Sequence, residues 1–199
     1  PPTKRAPLPL RLSGILNFTP YIDNGKAGIP MSKFIEIDPL EITDNLFRRI
    51  GKDWMLITAG DEKACNTMTA SWGGAGVLWN VNVTFSFVRP SRYTYEFLEK
   101  EKYYSLTFLD PAVRKPLQIC GSKSGRDCDK IAEAGLTPVF DAQAPYFAEG
   151  AMSLICRKLY TQDLDPARFL DPALEANYKQ GDYHRMYVGE IVKVLKRIP

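Results

Sequence analysis

The chain has 199 residues, 45% of them hydrophobic and 25% charged, which is enough for one well-buried core and too little for a second full domain. Its formal charge of +3 comes from the first thirty residues, where Lys4, Arg5, Arg11 and Lys26 face a single anion, Asp23. The remaining 169 residues carry 22 cations and 22 anions, which excludes the basic footprint of a nucleic-acid binder.

Residues 1–30 contain Pro1, Pro2, Pro7, Pro9, Pro20 and Pro30 with no sustained periodicity, and read as an extended leader or linker. A signal peptide needs an uninterrupted apolar run before a small-residue cleavage site. The best candidate, Leu8 to Phe18, is broken by Pro9, Arg11, Ser13 and Asn17. Met31-Ser32-Lys33 is a candidate original start, which leaves 31–199 as a single folded domain. No apolar stretch approaches the length of a membrane span, so neither membrane nor nucleic acid is expected as a partner, and a cytoplasmic protein is the default.

In Asn66-Thr67-Met68-Thr69-Ala70-Ser71-Trp72 the hydroxyls of Thr67, Thr69 and Ser71 fall on one face of an extended strand, and Met68, Ala70 and Trp72 fall on the other. One face packs and the other can hydrogen-bond. Gly73-Gly74-Ala75-Gly76 reads as a turn. Val83 to Arg89 then alternates again and stops at Pro90, which cannot donate to a sheet ladder. Ser91-Arg92-Tyr93-Thr94 leads into a short helix over Tyr95 to Lys100, with Ser91 or Thr94 as its expected N-cap. Arg89 and Arg92, the neighbouring hydroxyls and a helix N-terminus together suit a phosphate dianion. By spacing, Trp72 and Trp79 read as core residues.

Tyr103 to Leu109 has strand character and stops at Asp110-Pro111. Two short helical patterns follow, Pro111 to Cys120, interrupted by Pro116, and Asp127 to Ala134, closed by Gly135. Between them, Gly121-Ser122-Lys123-Ser124-Gly125-Arg126 is not a P-loop, because Arg126 and Asp127 follow the second glycine. On its residues alone it reads as an ordinary solvated loop, whose N–H groups and hydroxyls are also able to wrap a phosphate or ribityl chain. Ala151 to Tyr160 and Tyr187 to Leu195 are the last long strands, separated by an excursion over Thr161 to Gly181 with one or two helical turns. There is no βα repeat, so the expected fold is mainly β (β-rich α+β): a split antiparallel barrel with peripheral short helices.

Cys65, Cys120, Cys128 and Cys156 match no zinc spacing, so no metal site is expected and free thiols are the reading. A Rossmann fingerprint is also missing, since Gly74-Ala75-Gly76-Val77-Leu78-Trp79 fails at the third glycine. His184, the only histidine, reads by itself as a hydrogen-bonded or surface residue.

The motifs NTMTASWGG, FVRPSRYTYEFLEK, CGSKSGRDCDK and YHRMYVGEIVKV, in that order between Phe34 and Lys196, resemble the flavin reductase-like, flavoredoxin-type family of FMN-binding split β-barrels. The resemblance implies a homodimer that binds FMN near the subunit interface. It also implies exchange of hydride or electrons with NADH, NADPH or an electron-transfer protein. By that resemblance the phosphate falls to Arg89, Ser91, Arg92, Tyr93 and Thr94, with Arg126 a weaker candidate from the loop that also holds Ser122, Ser124 and Gly125. Thr67, Thr69 and Ser71, with the backbone around Ala70 and Trp72, form the bed for the ring edge and ribityl chain. His184 approaches the flavin or nicotinamide, and is the catalytic candidate. Three readings follow: an NAD(P)H-dependent FMN reductase, an FMN electron carrier reduced by a protein partner, and a flavin-free interaction scaffold.

Overall fold

The computed structural model describes residues 34–198; the expected leader and the candidate start at Met31 lie outside the described residues. Strand β1 (Phe34–Ile37) is followed by a 3₁₀ turn at Pro39–Glu41, closed by a capping box between Asp38 and Glu41. Helix α1 (Leu46–Arg48) continues as a π-helical turn through Asp53. Then come β2 (Met55–Gly60), β3 (Cys65–Ala70), β4 (Gly73–Leu78), β5 (Val81–Val88), α2 (Tyr93–Lys100) and β6 (Tyr103–Leu109). After α3 (Lys115–Ser122) and α4 (Lys130–Glu133), a two-residue pair β7 (Pro138–Val139) and β8 (Tyr146–Phe147) precedes the long strand β9 (Gly150–Asp163). Two 3₁₀ turns, Pro166–Arg168 and Pro172–Tyr178, lead to β10 (Arg185–Arg197).

All the large-sheet pairings are antiparallel, in the order β3-β2-β6-β9-β10-β5-β4, with β1 added to β10. The two ends of that order, β3 and β4, are consecutive in the chain and joined only by Ser71-Trp72. The barrel is therefore split at Ser71-Trp72. Met55, Ile57, Met68, Ala70, Leu106, Phe108, Leu154 and Tyr187 fill its interior with Leu98 of α2. Leu56 and Leu109 point the other way and pack beneath Leu117 and Cys120 of α3. Strand β2 is thus buried on both faces, because helices cover the outside of the sheet there. Inside the barrel, Gly189 lets β10 pass over Tyr104, where an added Cβ would lie 2.4 Å from the phenol oxygen.

The stops at Val88 and Leu109 follow the proline signals read from sequence. The glycine run does not behave as a turn. Gly73-Gly74-Ala75-Gly76 forms β4, paired from Gly73↔Ser86 to Leu78↔Val81. A Cβ at Gly73 would sit 2.8 Å from the Phe85 carbonyl oxygen, so close approach of the strand is what the glycine serves. The hairpin turns instead at Trp79 and Asn80, both left-handed with φ of 53° and 60°, the conformation of a two-residue type I′ loop. Trp72 and Trp79 are 44% and 56% exposed, so neither is a core residue. Helix α2 starts with Arg92 at the N-cap and no side-chain cap, in place of Ser91 or Thr94, because those hydroxyls bond elsewhere. Helix α4 is capped by Asp129 rather than Asp127, and α3 takes Pro116 into its first turn and absorbs Gly121 and Ser122.

Candidate functional site

A 210 Å³ cleft is lined by Thr69 and Ala70 from the end of β3, Ser71 and Trp72 from the seam, Arg89 and Arg92 beyond β5, and His184 before β10. Seven of the fifteen residues selected from sequence meet there. Ser71 and Trp72 also border a 760 Å³ groove shared with Asn45, Phe47, Ile50 and Gly74, so the two depressions meet along the seam. The small cleft alone is below the usual size for a cofactor site, whereas a cleft opening into a groove is not.

One wall is a strap formed by residues 164–184. Arg89 fastens it, with Nη1 donating to the carbonyl of Asp182 at 3.0 Å and Nη2 to that of Asn177 at 2.8 Å, while its guanidinium lies over the Tyr178 ring. Ser91 Oγ donates to the Asp182 carboxylate at 2.6 Å. His184 is buried at the end of the strap, with Nδ1 3.0 Å from the Tyr178 hydroxyl and its ring centroid 5.1 Å from that of Trp72. Burial, and next the nearby Arg89 cation, push its pKa down to about 4, so it is neutral at pH 7.

The opposite wall is cationic. Arg92 donates to the carbonyls of Gly121 and Cys120 at the end of α3, at 3.0 and 3.1 Å, and desolvation lowers its pKa. Behind Arg92, Lys130 of α4 borders a separate cavity with Asn66 and Tyr93; it is 3% exposed and donates to the Lys123 carbonyl at 3.2 Å. Burial, then the field of Arg92, brings its pKa down to about 8. The Cys120 thiol feels both cations, but burial outweighs them and lifts it to about 11, which leaves it protonated. Among the described residues neither Arg92 nor Lys130 has a carboxylate in an ion pair. A buried Lys130 beside a half-buried Arg92, neither with a counter-ion, is costly, and an anion placed beside them would offset that cost.

Other selected residues lie apart from the cleft. Thr67 is fully buried, donating to the Ile57 carbonyl and paired with the Thr58 hydroxyl. Thr69, although it borders the cleft, gives its proton to the Leu117 carbonyl at 2.6 Å, so α3 covers much of the hydroxyl face of β3. Thr94 is buried and accepts from the Asn66 amide at 2.7 Å. Tyr93, Gly125 and Arg126 line a different, 760 Å³ cavity with Asn66, Asp127 and Asp129. There Arg126 lies over the Tyr93 ring and pairs with Glu96. Gly125 lies so close to Asn66 that a Cβ would be 2.2 Å from the amide oxygen. Ser122 bonds back to the Gln118 carbonyl, and Ser124 accepts from the Arg126 backbone. All four cysteines are free.

Sequence reading missed Lys130, Tyr178 and Asp182. Lys130 was visible only as a helix residue after a capping aspartate, and Tyr178 lay in an excursion with no periodicity to place it. The donors of the cleft can hold an anion on one side and present a neutral imidazole on the other.

Known structures share this architecture. An FMN-binding domain of a flavin reductases-like enzyme from Shewanella baltica OS155 aligns with a TM-score of 0.60 and 15% identity, over 83% of this chain and 78% of that one. Flavoredoxin from Methanosarcina acetivorans aligns at 0.55 and 23%, over 71% and 66%. The NADH:FAD oxidoreductase of Streptomyces globisporus C-1027, in complex with NAD and FAD fragments, aligns at 0.52 and 17%, over 73% and 74%. These likenesses establish the split-barrel fold. No curated protein sequence matches the chain. The family model described as flavin reductase like domain matches residues 47–197, and the chain belongs to that family.

Proposed function

We propose that this chain binds FMN and acts as an NAD(P)H-dependent flavin oxidoreductase. The observation that carries the reading is Arg92, half-buried in the cleft without a carboxylate in an ion pair and with the buried Lys130 behind it, facing a wall that holds His184 neutral. The phosphate dianion of FMN fits that donor set, since it supplies the charge that the two cations lack. When bound, FMN accepts a hydride or electrons and passes them on.

The residues of the chain bind, orient and exclude water. Arg92 from the cleft and Lys130 from the cavity behind it hold the phosphate, with Tyr93 and the weaker candidate Arg126 lining that same cavity. Thr69, Ala70, Ser71 and Trp72 form the wall at the seam. Arg89 and Ser91 act through the strap, keeping Asp182 and His184 in place. A dedicated nicotinamide fold is not part of the reading, because Gly74 to Trp79 forms a strand and hairpin turn rather than a loop opening a helix. A nicotinamide donor must then lie against the flavin itself, where distance and orientation govern the rate.

A second reading, an FMN electron carrier served by a protein, draws on an apolar rim formed by α1 and the hairpin end of β4. Phe47 is 94% exposed, Val77 72% and Trp79 56%. The same rim and the edge of β4 are where a second copy of the chain would sit in a homodimer. A cytoplasmic location belongs to both readings; among the described residues no helix is long and apolar enough to cross a membrane.

The test is anaerobic mixing of the FMN-loaded chain with NADH and then NADPH. Prompt bleaching of the flavin absorbance supports the reductase, and bleaching only with a reduced protein supports the carrier. A chain that takes up no flavin is the scaffold, and sinks both.

A further inference from the structure

Tyr178 is 6% exposed and sits in a layer of rings: stacked on Tyr183 at 4.6 Å between centroids, edge-on to His184 at 5.5 Å, and tilted against Phe169 at 5.7 Å. Its hydroxyl is 3.0 Å from His184 Nδ1, and among the described residues its proton has no other acceptor. A buried phenol proton left unpaired costs more than a hydrogen bond is worth, so the hydroxyl donates and Nδ1 accepts. A neutral imidazole that accepts at Nδ1 carries its proton on Nε2.

The surroundings favour the same state. From the end of β5, Arg89 places its guanidinium 5.1 Å from the Tyr178 ring centre, where a charged imidazole would meet repulsion. From the strap, the Asp182 carboxylate is occupied by Ser91 Oγ at 2.6 Å and lies 4.0 Å from Arg89 Nη1. Tyr183 stacks behind Tyr178, and Trp72 covers the face toward the seam without titrating. Arg92 adds a second cation to the lining of the cleft.

We propose that Tyr178 is a positioning residue, whose hydroxyl fixes His184 as the neutral Nε2–H tautomer and so reserves that N–H as a hydrogen-bond donor to the reacting group in the cleft. The inference rests on the flavin oxidoreductase reading for the identity of that group, but not for the state of the histidine.

The chain has one histidine, so ¹⁵N-histidine labelling gives a single ring to follow by long-range ¹H–¹⁵N correlation. In the wild-type protein at pH 7 the spectrum shows the Nε2–H tautomer, with protonation well below pH 6.5. In Tyr178→Phe the tautomer preference is lost and the histidine pKa rises by about one unit, because the neutral ring loses its donor. An Nδ1–H tautomer in the wild-type protein, or an unchanged ring in the variant, overturns the proposal. The wild-type spectrum decides even if the variant folds poorly. In the FMN-loaded protein, the NADH bleaching rate stays flat from pH 8 to pH 5 for wild type; for Tyr178→Phe it is lower at pH 7, where part of the histidine carries its proton on Nδ1, and recovers toward pH 5 as protonation restores the Nε2–H. Identical profiles overturn the positioning role. Failure of any donor to bleach the flavin, with the tautomer as expected, overturns the oxidoreductase reading and leaves the Tyr178–His184 pair standing.

Discussion

Replacing Lys130 by Met separates phosphate recognition from the rest of flavin binding. The ammonium offers three donors and spends one on the Lys123 carbonyl, 3.2 Å away. The others are available to an anion seated between the cavity that Lys130 borders and Arg92. A charge-assisted hydrogen bond contributes ~1.5–3 kcal/mol, so Lys130→Met weakens FMN binding by roughly one to two decades. Riboflavin, which lacks the phosphate, binds the variant as it binds wild type. Titration of both ligands by quenching of flavin fluorescence measures the two affinities.

The pH dependence follows from the same residue. With a folded pKa of about 8, Lys130 is ~90% neutral at pH 9 in the flavin-free protein, so binding a dianion there must also take up a proton. FMN affinity therefore falls above pH 8, by up to about tenfold per pH unit, and the slope vanishes in Lys130→Met. Stability of the flavin-free protein moves oppositely: the unfolded chain binds more protons between pH 8 and about 10.4, so folding becomes more favourable as pH rises through that window. An equal loss for riboflavin, or FMN affinity that ignores both the substitution and the pH, would remove Lys130 from the phosphate site.

Arg89→Met should loosen the strap, because its two carbonyl contacts disappear together. Amide exchange in residues 164–183 is expected to accelerate while the β6 and β9 amides stay protected, and uniform exchange would show that Arg89 is not the fastener. Gly189→Ala forces a Cβ to within 2.4 Å of the Tyr104 hydroxyl and should cost ~1–3 kcal/mol. At about 2–4 °C per kcal/mol, the melting temperature falls by several degrees. Adding Tyr104→Phe removes the clashing oxygen and recovers part of that loss; a double variant no better than the single one contradicts the packing account.

The long strands were legible because their alternation is strong and their ends are marked by Pro90 and Asp110-Pro111. Strand β4 was not, since glycine's local preference for turns was overridden by pairing with β5 over the Phe85 side chain. The hydroxyl face of β3 was read correctly as polar, but sequence could not show that α3 and Thr58 would consume Thr69 and Thr67. The two arginines after β5 were found together, yet they diverge. Arg89 turns to the strap and Arg92 to the end of α3, a choice set by partners 28 to 93 positions away. His184 was singled out by the family resemblance, since on its own the sole histidine read as a hydrogen-bonded or surface residue. Its phenol partner was hidden because no spacing rule links a 3₁₀ turn to the strand that follows it.

Strands β3 and β4 are neighbours along the chain without being partners in the ladder, which gives the barrel a seam that was never stitched. Widening it disrupts side-chain contacts around Ser71 and Trp72 but severs no inter-strand N–H···O=C bond. A flat guest could slip in or out there at little cost to the scaffold, and the wall remains intact between visits.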